Sequence, residues 1–327
     1  MKGKAFNIGL AIVLAMALTA CSGGSQPASP SPDAAEGGLV FTTGNEQGTY
    51  YRFGGVLAGK IAETTDKKLQ VTASGGSKEN LEALQSGAAQ FGFVQSDVLS
   101  YACEGTRLFE SKAEGITAVA ELYMEQVQIV TMDPSLKSVS DLKGKNVSIG
   151  APGSGVYFNA VDVLEAYGLT EKDISPTYQS FSESVDALQS GKLDAAFVVA
   201  GTPTSAISGL AATTDIYLIG LDDEHIEKLV QGSQHYSKAV ISRKTYNTAM
   251  DIPTVAVGAV LVAREDASEE DVYHVIPGIY ENLPAITKAH SKGAELSLEE
   301  AASVTVVPYH PGAAKYLKEK GFEVPTK

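Results

Sequence analysis

The chain has 327 residues, of which 44% are hydrophobic and 20% are charged. This length exceeds what one hydrophobic core usually supports, so we expect two domains. The formal net charge of −14 argues against nucleic acid or an anionic membrane surface as a partner, because both are bound by clustered lysine and arginine.

The N-terminus has the pattern of a secretion signal followed by a lipidation site. Lys2 and Lys4 precede an apolar run that is too short to span a membrane, and small residues then lead to Cys21. This resembles a bacterial lipoprotein signal, in which residues 1–20 are removed and Cys21 is lipidated; a plain signal peptide with an incidental cysteine is the alternative. Residues 21–38 are rich in Gly, Ser, Pro and Ala and predict a disordered tether. We therefore expect an extracytoplasmic protein anchored to the cell membrane by lipid.

The folded part is predicted to begin with a strand, a glycine-rich loop and a helix. Residues 39–43 are apolar, residues 44–48 break that run, and Thr49 opens a helical pattern. Backbone N–H groups at the start of such a helix favour an anion or a carboxylate. A second strand at residues 69–72 leads through small residues into another helix, where Ser77 is either an N-cap or a ligand contact.

A sixteen-residue pattern occurs twice and indicates two similar halves. Residues 79–94 and 183–198 are identical at eight of sixteen positions. In both copies, apolar residues at helical spacing precede a glycine and a short apolar run, which predicts a helix, a left-handed stop and a buried strand. The alternative is that any unit of this kind selects similar residues. Two α/β lobes would leave a cleft between them, where small ligands bind.

Polar and glycine-rich segments follow the predicted strands. Gln95 comes at the carboxyl end of a buried strand, where open α/β sheets place their ligands. The second half opens like the first, with a strand at 146–150, a glycine-rich loop at 151–155 and a helix at 157–167. The loop lacks the lysine of a phosphate-binding loop and the third glycine of a dinucleotide motif, which argues against a nucleotide. Its N–H groups still suit a carboxylate.

Long apolar segments are expected to connect the two halves. Residues 116–120 and 126–132 predict two strands, the second of which leaves the first half, and residues 254–262 predict a return strand that pairs with it. Two crossing strands form a hinge on which two lobes close over a ligand. We therefore expect an α/β fold of two lobes, each a sheet flanked by helices. The predicted lobes are residues 39–130 with 253–327, and residues 131–252.

No catalytic or metal-binding motif stands out in the sequence. The patterns G-x-S-x-G, H-E-x-x-H and C-x-x-C are missing, and the five histidines are dispersed. With Cys21 assigned to lipidation, Cys103 has no partner for a disulfide and is expected to be a small buried hydrophobe. We therefore expect a monomer without catalysis, cofactor or metal. The alternatives are a two-lobed enzyme that uses Asp97 or Glu183 as a base, and a sensory receptor.

Seven short segments between residues 39 and 321 carry a resemblance to a known family. They are 43–44 with 48–51, 74–81, 93–97, 141–145, 150–155, 194–197 and 310–314. On these segments the chain resembles the TAXI family, the solute receptors of tripartite ATP-independent periplasmic (TRAP) transporters. The resemblance implies a periplasmic-binding-protein-like (type II) fold. It also implies capture of glutamate, glutamine, 2-oxoglutarate or a related small carboxylate for delivery to membrane permease subunits.

The resemblance further implies which residues bind the ligand. Two of them depart from the family pattern: Val156 replaces a hydroxyl residue of relatives, and Arg52 stands where relatives often have an uncharged residue. Arg52 is either the partner of a distal carboxylate or a solvated side chain. The expected ligand-binding residues are Gly44, Thr49, Tyr50, Arg52, Ser74, Gly76, Ser77, Gln95, Gly153, Ser154, Gly155, Val156, Phe181 and Gly201.

Overall fold

The computed structural model describes residues 38–326. The predicted signal segment, the lipidation site at Cys21 and the predicted tether up to residue 37 lie outside the described residues. Within residues 38–326, no helix combines the length and the apolar character that crossing a membrane requires.

Ten strands and twelve α-helices make up the described part of the chain. The strands are β1 (Leu39–Thr42), β2 (Leu69–Thr72), β3 (Phe91–Gln95), β4 (Ile116–Thr131), β5 (Asn146–Ser148), β6 (Ser175–Thr177), β7 (Ala195–Ala200), β8 (Tyr217–Ile219), β9 (Ser237–Ile241) and β10 (Ile252–Arg264). The helices are α1 (Thr49–Thr64), α2 (Ser77–Ser86), α3 (Ser96–Glu104), α4 (Gly155–Ala166), α5 (Phe181–Gln189), α6 (Ser205–Ala211), α7 (Asp223–Gly232), α8 (Arg243–Tyr246), α9 (Glu269–Tyr280), α10 (Leu283–Ala289), α11 (Leu298–Ala301) and α12 (Pro311–Glu319).

The strands form one mixed sheet in the order β2-β1-β3-β10-β4-β7-β5-β6, with β8 paired to β4 and β9 paired to β10. Strand β1 runs parallel to β2 and β3, and β5 runs parallel to β6 and β7. Strand β10 is antiparallel to β3 and to β4. Every residue of β3 and of β7 is buried, as expected of strands covered by helices on both faces.

The two long central strands differ from the sequence prediction. The segments 116–120 and 126–132, predicted as two strands, belong to the single strand β4. The return strand β10 pairs with residues 116–126 of β4, so it meets the predicted segment 126–132 only at its first residue. Two register shifts along this pairing show that β4 contains extra residues that β10 lacks. Strand β4 continues through Glu121 and Glu125, the charged residues between the two predicted segments.

The repeated sixteen-residue pattern forms the predicted structure in both places. Helix α2 ends at Gly87, whose φ of 82° is left-handed, and β3 follows. Helix α5 is followed by Gly191, with a φ of 68°, and then by β7. The prediction of helix, left-handed glycine and buried strand is therefore confirmed for both copies, since only glycine adopts this backbone conformation without a steric penalty.

The buried hydrophobic residues separate into two regions along the chain. The first core draws on residues from Phe41 to Tyr123 and from Ala259 to Leu317, and Phe158 packs with them. The second core consists of two clusters from the residues between Val127 and Val257. Strands β4 and β10 contribute to both cores. Cys103, expected to be buried, is only partly buried against the first core.

Candidate functional site

A cleft lies at the ends of β3 and β7, where residues of the first core region meet residues of the second. It encloses about 570 Å³ of empty space, a figure that includes its open solvent mouth. Glu125 reaches it from β4. The first wall consists of Gly44, Asn45, Gly48, Thr49, Tyr50, Ser74, Gly75, Gly76, Ser77 and Gln95, and the second wall of Ala151, Ser154, Gly155, Val156, Gln179, Ser180, Phe181, Val199 and Ala200.

Most of the predicted ligand-binding residues lie in this cleft. Those that line it are Gly44, Thr49, Tyr50, Ser74, Gly76, Ser77, Gln95, Ser154, Gly155, Val156 and Phe181. Gly153 and Gly201 lie beside it. The Gly153 carbonyl accepts a hydrogen bond from Lys78 N, and the Gly201 carbonyl accepts one from Thr49 Oγ1. Arg52 is exposed on α1 and is not among the lining residues. The glycine-rich loops therefore lie together at the cleft, whereas Arg52 lies outside its lining.

Nine of the residues that line the cleft were not predicted from the sequence, and Glu125 is the most important of them for the chemistry of the site. It is 2% exposed and occupies the centre of a long apolar strand. An acidic residue flanked by buried apolar positions was the available signal, because a carboxyl is rarely buried without a partner or a function. The others are Asn45, Gly48, Gly75, Ala151, Gln179, Ser180, Val199 and Ala200.

The helices that begin at the two walls differ in how their N-termini are capped. Helices α1 and α2 follow Gly48 and Gly76, and neither has a side-chain hydrogen bond at its N-cap. Helices α4 and α5 are capped by Ser154 and Ser180. Uncapped N–H groups carry partial positive charge and bind anions. The helix N-termini without a side-chain cap therefore lie on the first wall, where the Lys78 N–H of α2 already donates to Gly153 O.

The residue Ser77, for which the sequence left an N-cap or a ligand contact open, does not cap a helix. It is the first residue of α2, and its Oγ accepts a hydrogen bond from Gln95 N at 3.1 Å. A hydroxyl that accepts one bond retains its proton for a second partner. The Ser77 hydroxyl can therefore donate to a molecule in the cleft.

Three buried polar side chains meet at the end of the cleft nearest β4. Gln95 Nε2 donates to Glu125 Oε2 at 3.1 Å. Gln95 Oε1 is buried and has no hydrogen-bond partner, and the buried Tyr50 hydroxyl lies next to Glu125. Burial raises the pKa of Glu125 to about 8, although the Gln95 hydrogen bond and the charge of Lys292 act in the opposite direction. Because an unpartnered buried polar atom costs about 1–3 kcal/mol, this end of the cleft is suited to a polar ligand.

The two walls touch each other directly. Thr49 Oγ1 donates to Gly201 O at 3.0 Å, and Lys78 N donates to Gly153 O at 3.1 Å. Deeper in the protein, Asn159 Nδ2 of α4 donates to Asp97 Oδ2 of α3 at 2.8 Å. These contacts join the first core to elements packed on the second core. The structure therefore represents a closed arrangement of the cleft.

The two carboxylates considered as catalytic bases do not line the cleft. Asp97 is fully buried, and burial together with the neighbouring Asp162 raises its pKa to about 7. Glu183 is exposed and accepts hydrogen bonds from Ser180 N and Oγ in a helix capping box. Neither group is positioned to act on a molecule in the cleft. Within residues 38–326, no three His, Cys, Asp or Glu side chains are grouped so as to hold a metal ion.

Comparison with known proteins gives both a family and a fold. The profile of the NMT1-like family matches residues 41–321. A solved structure described as a periplasmic transporter superposes with a TM-score of 0.54 at 12% identity, covering 88% of this chain and 97% of that chain. An ancestral arginine-binding protein bound to arginine has a TM-score of 0.51 at 16% identity, covering 79% and 98%. A protein from Bordetella bronchiseptica RB50 has a TM-score of 0.51 at 16% identity, covering 86% and 96%.

These similarities establish the fold class. The chain has the α/β periplasmic-binding-protein-like fold, with a mixed sheet flanked by helices, as predicted. The neighbours that are named by function are a binding protein and a transporter, and neither is an enzyme.

Proposed function

The chain belongs to the NMT1-like family, and from that premise we propose that it is an extracytoplasmic solute-binding receptor that captures a small carboxylate or amino acid and has no catalytic activity of its own. The observation that carries this proposal is the buried, unpartnered Gln95 Oε1 beside the buried Glu125 in the cleft. A small polar ligand would satisfy Gln95 Oε1, and among the described residues that line the cleft Glu125 is the only acidic or basic side chain.

The mechanism that fits this site is closure of two lobes over the ligand. The lobes are residues 39–130 with 253–327, and residues 131–252, joined through β4 and β10. A ligand that contacts both walls favours the closed state by its greater affinity for that state. Direct contacts between the walls, such as Thr49 to Gly201, add to the stability of the closed state.

We assign the receptor to the TAXI class of TRAP transporters, with permease subunits of the membrane as its partners and Cys21 as its lipid anchor. The support is the position of the family motifs: Thr49, Ser74 to Ser77, Gln95 and the loop before α4 all meet at the cleft. The proposed ligands are of the glutamate, glutamine and 2-oxoglutarate class, as the resemblance implies. Function as a monomer follows from a site that one chain completes.

The test is ligand-dependent stabilisation of the purified protein, after unfolding and refolding to remove any bound compound. Melting temperature is measured against amino acids and small mono- and dicarboxylates. A ligand at one hundred times its Kd stabilises the native state by about 2.7 kcal/mol, which raises the melting temperature by several degrees. Gln95→Ala should abolish the shift, and Gln70→Ala, at an exposed position of β2, should leave it unchanged. A folded protein that no compound stabilises would refute the proposal.

A further inference from the structure

The charge of the cleft is unusual for a protein that binds acids. The lining residues include no lysine, arginine or histidine and a single carboxyl group, that of Glu125. The nearest buried cation is Lys292, which is not among the lining residues. Its ammonium group donates to Glu295 Oε1 at 2.6 Å and lies 5.5 Å from the centre of the Tyr123 ring. Among the described residues, no lysine, arginine or histidine therefore lines this cleft; Lys292 lies behind Gly201, where its charge lowers the pKa of Glu125.

Two hydrogen-bond acceptors converge beside each other at the β4 end of the cleft. Gln95 donates through Nε2 to Glu125, and the Oε1 atom of Gln95 has no partner. Gln95 is only 2% exposed. An amide oxygen and a carboxyl group in a dry pocket are the partners that an ammonium group requires.

Donors occupy a different part of the first wall. The N-termini of α1 and α2, which have 16 and 10 residues, begin at the cleft without a side-chain cap. Ser77 and Thr49 stand at the first positions of these helices. Main-chain N–H groups at two helix ends and a serine hydroxyl suit one carboxylate group.

We infer that the ligand is a zwitterion, an α-amino acid with an uncharged side chain, whose ammonium group is held by Glu125 and Gln95 Oε1 and whose carboxylate lies at the N-termini of α1 and α2. This inference rests on the proposed function and narrows its ligand class. Glutamine and apolar amino acids fit it, whereas 2-oxoglutarate and glutamate bring a second negative charge.

The second wall explains why a second negative charge is rejected. Val156, Phe181 and Val199 contribute apolar surface there, and the N-terminus of α4 is already capped by Ser154. A carboxylate placed against this wall would lose its hydration without gaining a cation. An amide or alkyl side chain does not carry that cost, and Gln179 and Ser180 can bond an amide.

Proton linkage gives the inference a second, independent signature. Because burial raises the pKa of Glu125 to about 8, the empty site is mostly protonated at pH 7. Tyr50, Tyr123, Asp97 and Lys292 are the titratable groups around it. An ammonium ligand stabilises the carboxylate form, so binding at pH 7 releases protons. Affinity therefore rises with pH and levels off above about pH 8.

The test is isothermal titration of the purified protein with matched pairs of compounds. The pairs are glutamine with 4-carbamoylbutanoate and leucine with 4-methylpentanoate, which differ only in the amino group, and 2-oxoglutarate is the dianion. We expect at least one of the two amino acids to bind and its partner without the amino group to bind roughly 100-fold more weakly or worse. Titration in two buffers of different ionisation enthalpy measures the released proton without any variant.

The matched variants lie on the same strand. Glu125→Gln should reduce amino-acid affinity by roughly 100-fold, because one partner of a buried charge pair is removed. Glu121→Gln is the control, since Glu121 also lies on β4 with a pKa that burial raises to about 7 but does not line the cleft. Equal binding of a compound without the amino group, tight binding of 2-oxoglutarate, or proton uptake on binding would overturn the inference alone. Binding of no small compound at all would overturn the proposed function with it.

Discussion

The glycine at the start of α4 offers a sharp test of how Gln95 is held. A methyl group at Gly155 would overlap Gln95 Oε1 and Cδ and would lie 3.0 Å from Nε2. The backbone at Gly155 is not left-handed, so alanine itself is tolerated there. In Gly155→Ala the amide of Gln95 must therefore swing away, and it loses its hydrogen bond to Glu125.

The two consequences of this change have different magnitudes. Moving Gln95 costs about 0.5–1.5 kcal/mol for a less favourable rotamer and about 0.5–1.5 kcal/mol for the lost hydrogen bond. Replacing glycine by alanine in a helix recovers about 0.4–1 kcal/mol. We expect a net stability loss between about zero and about 2.6 kcal/mol. Ligand affinity should fall by about 10- to 100-fold, because a hydrogen bond from a charged ligand group contributes about 1.5–3 kcal/mol.

The assay combines denaturant unfolding with calorimetric titration of the bound ligand. Gly59→Ala is the matched control, since a methyl group at this position of α1 meets no atom within 4 Å. In a Gln95→Ala background, Gly155→Ala should have no further effect on affinity. Normal ligand affinity in Gly155→Ala would contradict this role of Gln95. A further loss of affinity caused by Gly155→Ala in the Gln95→Ala background would contradict it as well.

Further expectations concern charge, closure and the core. Arg52→Ala should leave ligand affinity within about twofold, because exposed side chains outside a site rarely contribute; a tenfold loss in titration would contradict its position. Thr49→Val removes the hydrogen bond to Gly201 across the cleft and should weaken ligand binding about 3- to 10-fold. The circular dichroism spectrum of the ligand-free protein should stay unchanged. Burial raises the pKa of Asp97 to about 7, above its value in the unfolded chain, so ionisation of this group destabilises the fold as pH rises from about 4 to 7. Asp97→Asn should therefore gain stability relative to the parent protein over that interval, and parallel unfolding curves at pH 5 and pH 8 would contradict this. Leu84→Ala, at a fully buried position of α2, should cost about 2–5 kcal/mol in denaturant unfolding.

Elements with strong local signals were predictable from the sequence. The helix, glycine and strand of each repeat depend on helical spacing and on a left-handed position next to them, and both lie within sixteen residues. Elements without such signals were missed. Helix α3 follows β3 with no turn residue between them, and the short strands β6 and β9 contain polar residues at a sheet edge. The single strand β4 was read as two because charged residues interrupt its apolar pattern.

The candidate site divides in the same way. The loops before α1, α2 and α4 were predictable because glycine and serine clusters mark them in the chain. Arg52 was included in the predicted site because other site residues are near it in the sequence. Tyr50, Phe53 and Leu57, however, define the buried face of α1, and position 52 lies outside that face. Glu125 was missed because no local pattern links it to the loops.

The sequence by itself therefore determined the secretion-type N-terminus as a prediction, the α/β class and the glycine-rich loops, since each depends on residues that are near one another in the chain. Only the tertiary structure decided which polar groups face each other. Gln95 meets Glu125 from 30 residues away and Gly155 from the second half of the chain, because β3, β4 and α4 converge at one end of the sheet. The balance of charge in the cleft, with one buried carboxyl and no cation among its lining residues, is a property of that convergence. It is this balance that turns a general small-ligand site into one suited to a zwitterion.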